Sequence, residues 1–251
     1  MANSGRITEA SRAVERVMGS AMSKPRASAG SGGTRLSGIT PNGNKIKFTP
    51  DQVQQLRLAS WGGQTVGISF PSKPGDVEIN ENWASRVRNS DRRYIPDYNK
   101  GSNHRHAPTR SAPWHNPGNP NRLPFYLHGH GTAEGFTINV NTARPGRPPK
   151  YKKVYIDGGT HGQLVKVNEH FRRASAAEPT RPLVYLACEA GNPSGRLARD
   201  SARVVREAGH TGTAYAGTGK VYTIHDDLHS WVGVEQGEAK GTKISGEFRV
   251  V

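Results

Sequence analysis

The chain has 251 residues, a formal net charge of +15, 33% hydrophobic residues and a single cysteine. One cysteine excludes an intramolecular disulfide and a zinc site built from paired thiolates. The length suits one domain of about 150 residues with appended segments. Because no apolar run is long enough to cross a membrane and residues 1–20 lack the apolar centre of a signal peptide, we expect a cytoplasmic protein or one exported as part of a larger bacterial protein.

The positive charge favours non-specific attraction to polyanions such as nucleic acid or acidic lipid. The basic residues are nevertheless scattered along the chain and form no RNA-binding motif. A dedicated nucleic-acid interface is therefore the weaker expectation, and a basic surface in contact with solvent accounts for the charge more simply.

The N-terminal part of the chain is predicted to be an appendage of the main domain. Apolar residues within residues 7–18 have helical spacing, and residues 20–43 are rich in Ser, Gly, Ala and Pro, as flexible linkers are. We therefore predict a helix and linker over residues 1–48 and a folded domain over residues 49–251.

The first part of this domain contains few regular elements in the sequence pattern. Residues 49–60 predict a helix, with Thr at the cap and Pro at the first helical position, and the apolar run TVGISF at 65–70 predicts a strand. Residues 71–120 are rich in Pro, Asn, Arg and His and predict a long surface excursion, with helical spacing only at 83–87. No metal site is expected there, because no acidic residue lies among its histidines. These histidines are His104, His106 and His115.

Strand and helix patterns alternate through the rest of the chain. Strands are predicted at 123–127, 135–140, 153–156, 183–187, 213–216, 221–224 and 247–251, and helices at 160–174 and 195–208. This alternation predicts an α/β fold with a mainly parallel central sheet flanked by helices. Functional side chains in such sheets gather at the carboxyl ends of the strands.

Two apolar runs end on reactive side chains. The run LVYLAC ends on Cys188, and the run FYLHGHG ends on His128 and His130. A thiolate is a nucleophile, and an imidazole can take up its proton and pass it to a leaving group. The glycines Gly129 and Gly131 allow a backbone amide to approach a developing oxyanion. The pattern indicates acyl transfer, above all amide hydrolysis, although a lone cysteine after an apolar strand is more often an inert core residue.

These two runs resemble the signature of the caspase-like cysteine peptidases, which include caspases, separases, legumains, gingipains and the self-processing protease domains of large bacterial toxins. Cys188 follows His130 by 58 residues, near the spacing of about 50 in caspases. The resemblance covers residues 65–216. The caspase pentapeptide around the cysteine is absent, and the Gly-His-Gly form points to the toxin-associated members.

The resemblance implies a caspase-hemoglobinase-like fold and a cysteine endopeptidase that needs no cofactor and acts on protein or peptide substrates. It implies that Cys188 is the nucleophile, that the amides of Gly131 and Cys188 form the oxyanion hole, and that the catalytic imidazole belongs to the His before a Gly. Both His128 and His130 meet this rule, and the Gly-His-Gly form favours His130. His128 would then line the substrate pocket or point elsewhere.

Substrate specificity and regulation remain open in the sequence. Acidic residues select Arg or Lys in some relatives, and the candidates are Glu189, Asp226 and Asp227, although Glu189 can simply face solvent and the aspartates can cap a helix near Leu228. A basic pocket built from Arg144, Arg147 and Lys150 is the opposite alternative. Some toxin-borne relatives are activated by a polyanion, for which residues 150–153 are candidates, and the linker at 20–43 is a candidate for self-cleavage.

Two other functions compete with peptidase activity. A catalytically inactive caspase-like binding module would use the basic surface to hold an anion. A toxin enzyme of other chemistry, such as a nuclease or an ADP-ribosyltransferase, would leave the His-Gly and Ala-Cys runs unexplained.

Overall fold

The computed structural model describes residues 34–88, 93–116, 118–119 and 122–251. The predicted helix at 7–18 and most of the predicted linker lie outside these residues. The described residues from Thr34 to Val251 belong to one compact unit. No helix in these ranges is long and apolar enough to cross a membrane.

The described residues form a mixture of strands and helices, as the alternating sequence pattern predicts. The strands are β1 (Leu36–Ile39), β2 (Lys45–Phe48), β3 (Leu56–Ala59), β4 (Thr65–Phe70), β5 (Arg93–Tyr94), β6 (Arg110–Ser111), β7 (Phe125–Gly131), β8 (Phe136–Asn141), β9 (Tyr151–Ile156), β10 (Leu183–Leu186), β11 (Ala214–Gly217), β12 (Val221–His225), β13 (Ser230–Val234), β14 (Gly237–Ala239), β15 (Thr242–Ile244) and β16 (Phe248–Val250). The α-helices are α1 (Asp76–Ser85), α2 (Gly158–Val167), α3 (Glu169–Ala177) and α4 (Leu197–Glu207). The α/β class is confirmed.

The main sheet is mixed, so the prediction of a mainly parallel sheet is wrong. Within the main sheet, parallel pairing joins the four central strands, in the order β11-β10-β7-β4. The antiparallel strands β16 and β3 flank them. The end of β7 separates from this group and pairs with β8, which begins an antiparallel wing in the order β8-β9-β1-β2. The short β7–β8 and β1–β2 connections leave no room for a crossover, and short connections impose antiparallel pairing.

The strands β1 and β2 correct the predicted domain division. They lie within residues 1–48, and β1 pairs with β9 of the main sheet. The alternating residues of β1 bury Leu36, and a Cβ on Gly38 would lie 2.4 Å from a methyl carbon of Val154. The Gly-rich and Ser-rich composition that indicated a linker is here compatible with a strand, because Gly38 permits close packing against β9.

The predicted helix at residues 49–60 is also wrong. Only Pro50–Gln52 is helical, as a single 3-10 turn, and β3 follows. Leu56 and Leu58 are spaced by two residues, and this period suits the strand that pairs with β4. The helix predicted at 160–174 is divided at Asn168, whose side-chain oxygen accepts hydrogen bonds from the first amides of α3.

The central strands separate two hydrophobic cores, which fixes the direction of every side chain near the candidate site. Phe125, Leu127, Leu183 and Tyr185 pack with α2 and α4 on one face. Tyr126, Val184 and Leu186 pack with Trp83 of α1 and with β13 on the other face. Even-numbered residues of β7 and β10 therefore point towards α1 and β13.

Candidate cysteine–histidine site

The strands that bear the cysteine and the histidines are adjacent and parallel. Leu183 lies opposite Phe125 and Leu186 lies opposite His128 in the β10–β7 pairing. Cys188 follows the end of β10 by two residues, in a turn, and His130 lies two residues after the last β7 residue that pairs with β10. The alternation of the strands directs His128, His130 and Cys188 to the face of α1 and β13. The two apolar runs therefore form neighbouring parallel strands, which the sequence pattern could not show.

Asp76 binds His130 and is the member of the site that the sequence analysis missed. Both carboxylate oxygens of Asp76 lie 3.1 Å from Nε2 of His130. The Asp76 carboxylate also accepts hydrogen bonds from the amides of Ser72 at 2.8 Å and Lys73 at 2.7 Å. Burial raises the pKa of Asp76, but the bonds from Ser72, His130 and Lys73 outweigh it, and the pKa lies below its usual value.

The lowered pKa of Asp76 determines which nitrogen of His130 donates to it. An ionised carboxylate only accepts hydrogen bonds, so Nε2 of His130 carries a proton, and Nδ1 is the nitrogen that can accept one in the neutral ring. Asp76 is the first residue of α1, where the positive end of the helix dipole favours an anion. The available sequence signal was an Asp after Pro-Gly, soon after the end of the first core strand.

His128 differs from His130 in its burial and in its hydrogen-bond partner. Its Nε2 lies 3.3 Å from the hydroxyl oxygen of Thr223 in β12, and its ring packs near Trp83. Its Nδ1 is buried with no hydrogen-bond partner among the described residues. Burial and the nearby His130 lower the pKa of His128 to about 4. His128 is thus a neutral, covered ring, whereas the His130 side chain is 30% exposed and bound to a carboxylate.

The Cys188 residue is half-buried, and its thiol contacts β12. Its Sγ lies 3.8 Å from the carbonyl oxygen of Val221, within the distance of a weak hydrogen bond. Burial raises the pKa of Cys188, the neighbouring Glu189 adds to this rise, and Lys73 and Lys220 act in the opposite direction. The thiol is therefore protonated at neutral pH and needs a base before it can act as a nucleophile.

The amide of Gly131 faces the cysteine. In the β7–β8 turn the Thr132 amide donates to the Gly135 carbonyl at 3.0 Å, and Gly131 is opposite Phe136. Antiparallel pairs alternate between bonded and non-bonded, so the Gly131 amide points away from β8. A Cβ on Gly131 would lie 3.2 Å from the carbonyl oxygen of Cys188, which shows how closely the two backbones approach. No hydrogen bond from the Cys188 amide to another described residue occupies that donor.

The predicted pocket residues lie in different places. Glu189, the residue after Cys188, lines a cavity of about 550 Å³ together with Asp97, Glu235, Lys220 and others. Its backbone has a left-handed φ of 57°.

Asp226 and Asp227 lie in the β12–β13 loop instead. Asp226 accepts bonds from the amides of Leu228 and His229 and forms an ion pair with Arg105 at 2.8 Å. These backbone bonds lower its pKa to about 2. Val221, which covers the thiol, is five residues earlier, or about 16 Å along a strand. The helix predicted near Leu228 is a hairpin turn, and the structure does not bring these aspartates to Cys188.

The basic residues of the sequence analysis lie on the antiparallel wing. Lys152 and Lys153 share a cavity of about 420 Å³ with Lys45 of β2. Arg144 and Arg147 line a separate cavity with Thr49 and Asp51. Neither cavity includes Cys188 or His130, so the alternative of a basic substrate pocket at the thiol gains no support.

The described residues contain no group of three or more His, Cys, Asp or Glu side chains placed to hold a metal ion. Comparison of the chain with protein-family models, with curated proteins and with solved structures found no match.

Proposed function

We propose that the protein is a cysteine endopeptidase with a caspase-like arrangement, in which Cys188 is the nucleophile, His130 is the general base and acid, and Asp76 orients the imidazole. The observation that supports this most is the parallel β7–β10 pairing, because His130 and Cys188 each follow the last paired residue of their strand by two positions. The Asp76–His130 contact adds the third group expected of an activated nucleophile.

The proposed reaction begins with proton transfer from the Cys188 thiol to Nδ1 of His130, while Nε2 keeps its proton and its N–H donates a hydrogen bond to Asp76. The thiolate attacks the carbonyl carbon of the scissile peptide bond. The amides of Gly131 and Cys188 stabilise the oxyanion that forms. His130 then donates its proton to the leaving amine, and water hydrolyses the thioester to release the acid and regenerate the thiol.

The resting thiol donates to the Val221 carbonyl, so attack requires rotation of the Cys188 side chain towards His130. Catalytic hydrogen bonds are often long or poorly aligned without substrate and tighten when it binds. The ammonium groups of Lys73 and Lys220 favour the thiolate. The open alternative is an inactive binding module, in which Cys188 would stay a covered structural thiol.

A polyanionic activator is a second proposal, and the cavity shared by Lys45, Lys152 and Lys153 supports it. The three lysines belong to two strands of the wing, β2 and β9. An anion there would bridge β2 and β9, which are not direct neighbours in the sheet.

Digestion of a peptide library by the protein tests the proposed function. We expect cleavage by the wild type, loss of cleavage in Cys188→Ala and in His130→Ala, and unchanged cleavage in the control His106→Ala, which alters an exposed histidine. Iodoacetamide should alkylate native Cys188 near neutral pH in a His130-dependent way. Cleavage by Cys188→Ala, or a thiol that reacts only after unfolding, would refute the proposal.

A further inference from the structure

Glu189 is the residue directly after the proposed nucleophile, and its conformation is unusual. Its φ of 57° lies in the left-handed region, which is unfavourable for a residue with a Cβ and free of that penalty for glycine. A glutamate at this position therefore has a conformational cost that its contacts must offset. Such outliers occur where surrounding structure holds them for a function.

The contacts of Glu189 join the nucleophile turn to the turn after the histidine strand. Its side-chain Oε2 accepts a hydrogen bond from the amide of Ala133 at 3.2 Å. Its own amide donates to the carbonyl of Gly219 at 2.8 Å, and its carbonyl accepts from Asn192 at 2.9 Å. The residue is half-buried, so these bonds are partly shielded from water.

Ala133 lies two residues after Gly131, in the turn that begins at the end of β7. A second contact holds the same turn, because a Cβ on Gly195 would lie 2.5 Å from the Ala133 carbonyl oxygen. The Glu189 carboxylate therefore binds the amide of Ala133, and the Gly195 backbone packs against the Ala133 carbonyl. The separation of the Gly131 and Cys188 amides depends on how these two turns are joined.

We infer that Glu189 is a positioning residue that holds the Gly131 and Cys188 amides in the geometry of an oxyanion hole. The inference rests on the proposed peptidase function and adds a role to a residue that the sequence analysis placed in the substrate pocket. Its carboxylate is directed to the Ala133 amide, and it acts through the two backbone turns without touching the reacting atoms. The hydrogen bond from the Ala133 amide, and not the negative charge of Glu189, maintains this geometry.

Two substitutions separate these properties. Glu189→Gly removes the side chain and keeps the left-handed backbone favourable. Glu189→Gln removes the charge and keeps an acceptor oxygen at the same distance from the backbone. Because Glu189 raises the pKa of the thiol, both variants change thiol acidity in the same direction, and Glu189→Gln is the matched control for that effect.

Two small probes separate oxyanion stabilisation from thiol reactivity without knowledge of the peptide substrate. Acylation of Cys188 by 4-nitrophenyl acetate passes through a tetrahedral oxyanion and releases nitrophenolate as a burst. Alkylation by iodoacetamide displaces iodide and forms no oxyanion. The ratio of the acylation rate to the alkylation rate therefore reports the oxyanion hole.

We expect this ratio to fall at least about tenfold in Glu189→Gly, since small misplacements of catalytic donors cost one to two orders of magnitude in rate. Glu189→Gln should keep the ratio within about threefold of the wild type. Thermal unfolding should show Glu189→Gly to be folded at the assay temperature. An unchanged ratio in Glu189→Gly, or an equal fall in both variants, would overturn the inference. A wild-type thiol that reacts with neither probe in a His130-dependent way would instead refute the proposed function.

Discussion

The substitution Asp76→Asn tests the proposed site most directly, because it changes one atom of the group that holds His130. The Asp76 oxygen Oδ2 accepts from the amides of Ser72 and Lys73. An asparagine can satisfy these two donors only with its carbonyl oxygen, so its NH₂ group faces Nε2 of His130. This NH₂ group lies within hydrogen-bond distance of Nε2 and favours the tautomer in which Nε2 accepts and the ring proton is on Nδ1.

This change of tautomer removes the lone pair that takes the proton of Cys188. General-base catalysis contributes about 10² to 10⁴ in rate, so the acylation burst with 4-nitrophenyl acetate at pH 7 should slow at least about 100-fold. Loss of the charge-assisted part of two amide bonds should also lower the free energy of unfolding by about 1–2 kcal/mol. That loss corresponds to a fall of a few degrees in the thermal midpoint, about 2–4 °C per kcal/mol.

The pH profile separates this role from a merely structural one. The thiol of Asp76→Asn should ionise directly in alkaline solution, so the rate deficit should shrink as the pH rises above the thiol pKa. Asp51→Asn, an exposed aspartate on the antiparallel wing, is the matched control and should react like the wild type. A rate within about threefold of wild type at pH 7 in folded Asp76→Asn would refute the reasoning.

Two further predictions concern stability. Burial lowers the pKa of His128 to about 4, so the unfolded chain binds more protons than the folded chain between pH 6.5 and pH 4. The free energy of unfolding should therefore fall by about 3 kcal/mol over this range from His128 alone. Thermal unfolding measured from pH 7 to pH 4 checks this prediction. The thermal midpoint of His128→Gln should depend less steeply on pH than that of the wild type, and a wild-type midpoint that stays constant over this range would contradict the prediction. Gly67→Ala should destabilise the protein by about 3 kcal/mol or more, because its Cβ would lie 2.2 Å from the Tyr126 carbonyl oxygen. Urea unfolding measures this, with Gly62→Ala as a control that meets open space and should change stability by less than about 0.5 kcal/mol; equal effects would show the reasoning to be wrong.

The central strands could be predicted from local sequence because their residues are buried on both faces. The strands β4, β7 and β10 are short apolar runs, and such runs indicate fully buried strands wherever they occur. The strands β1, β2 and β3 contain Gly, Lys, Arg and Ser and are buried on one face or at an edge. Their pattern is compatible with linker or helix until a partner strand is known.

The candidate site, like the fold, was predictable from the sequence only in part. Cys188 and His130 end two recognisable apolar runs, so their types and positions followed from the sequence. The choice between His128 and His130 did not, because both precede a glycine and point to the same face. Burial beneath Thr223 and contact with Asp76 distinguish the two rings, and both depend on elements that are distant in the chain.

The sequence by itself determined that a thiol and an imidazole end two buried strands, since apolar runs and the residues that follow them are local features. Only the tertiary structure decided that these strands are neighbours, that Asp76 binds the imidazole and that Glu189 joins the two turns. These contacts span 54 to 58 residues of chain, and no local pattern encodes the meeting of such segments. Packing of α1 and of the β7–β8 turn against the carboxyl ends of the central strands brings them together.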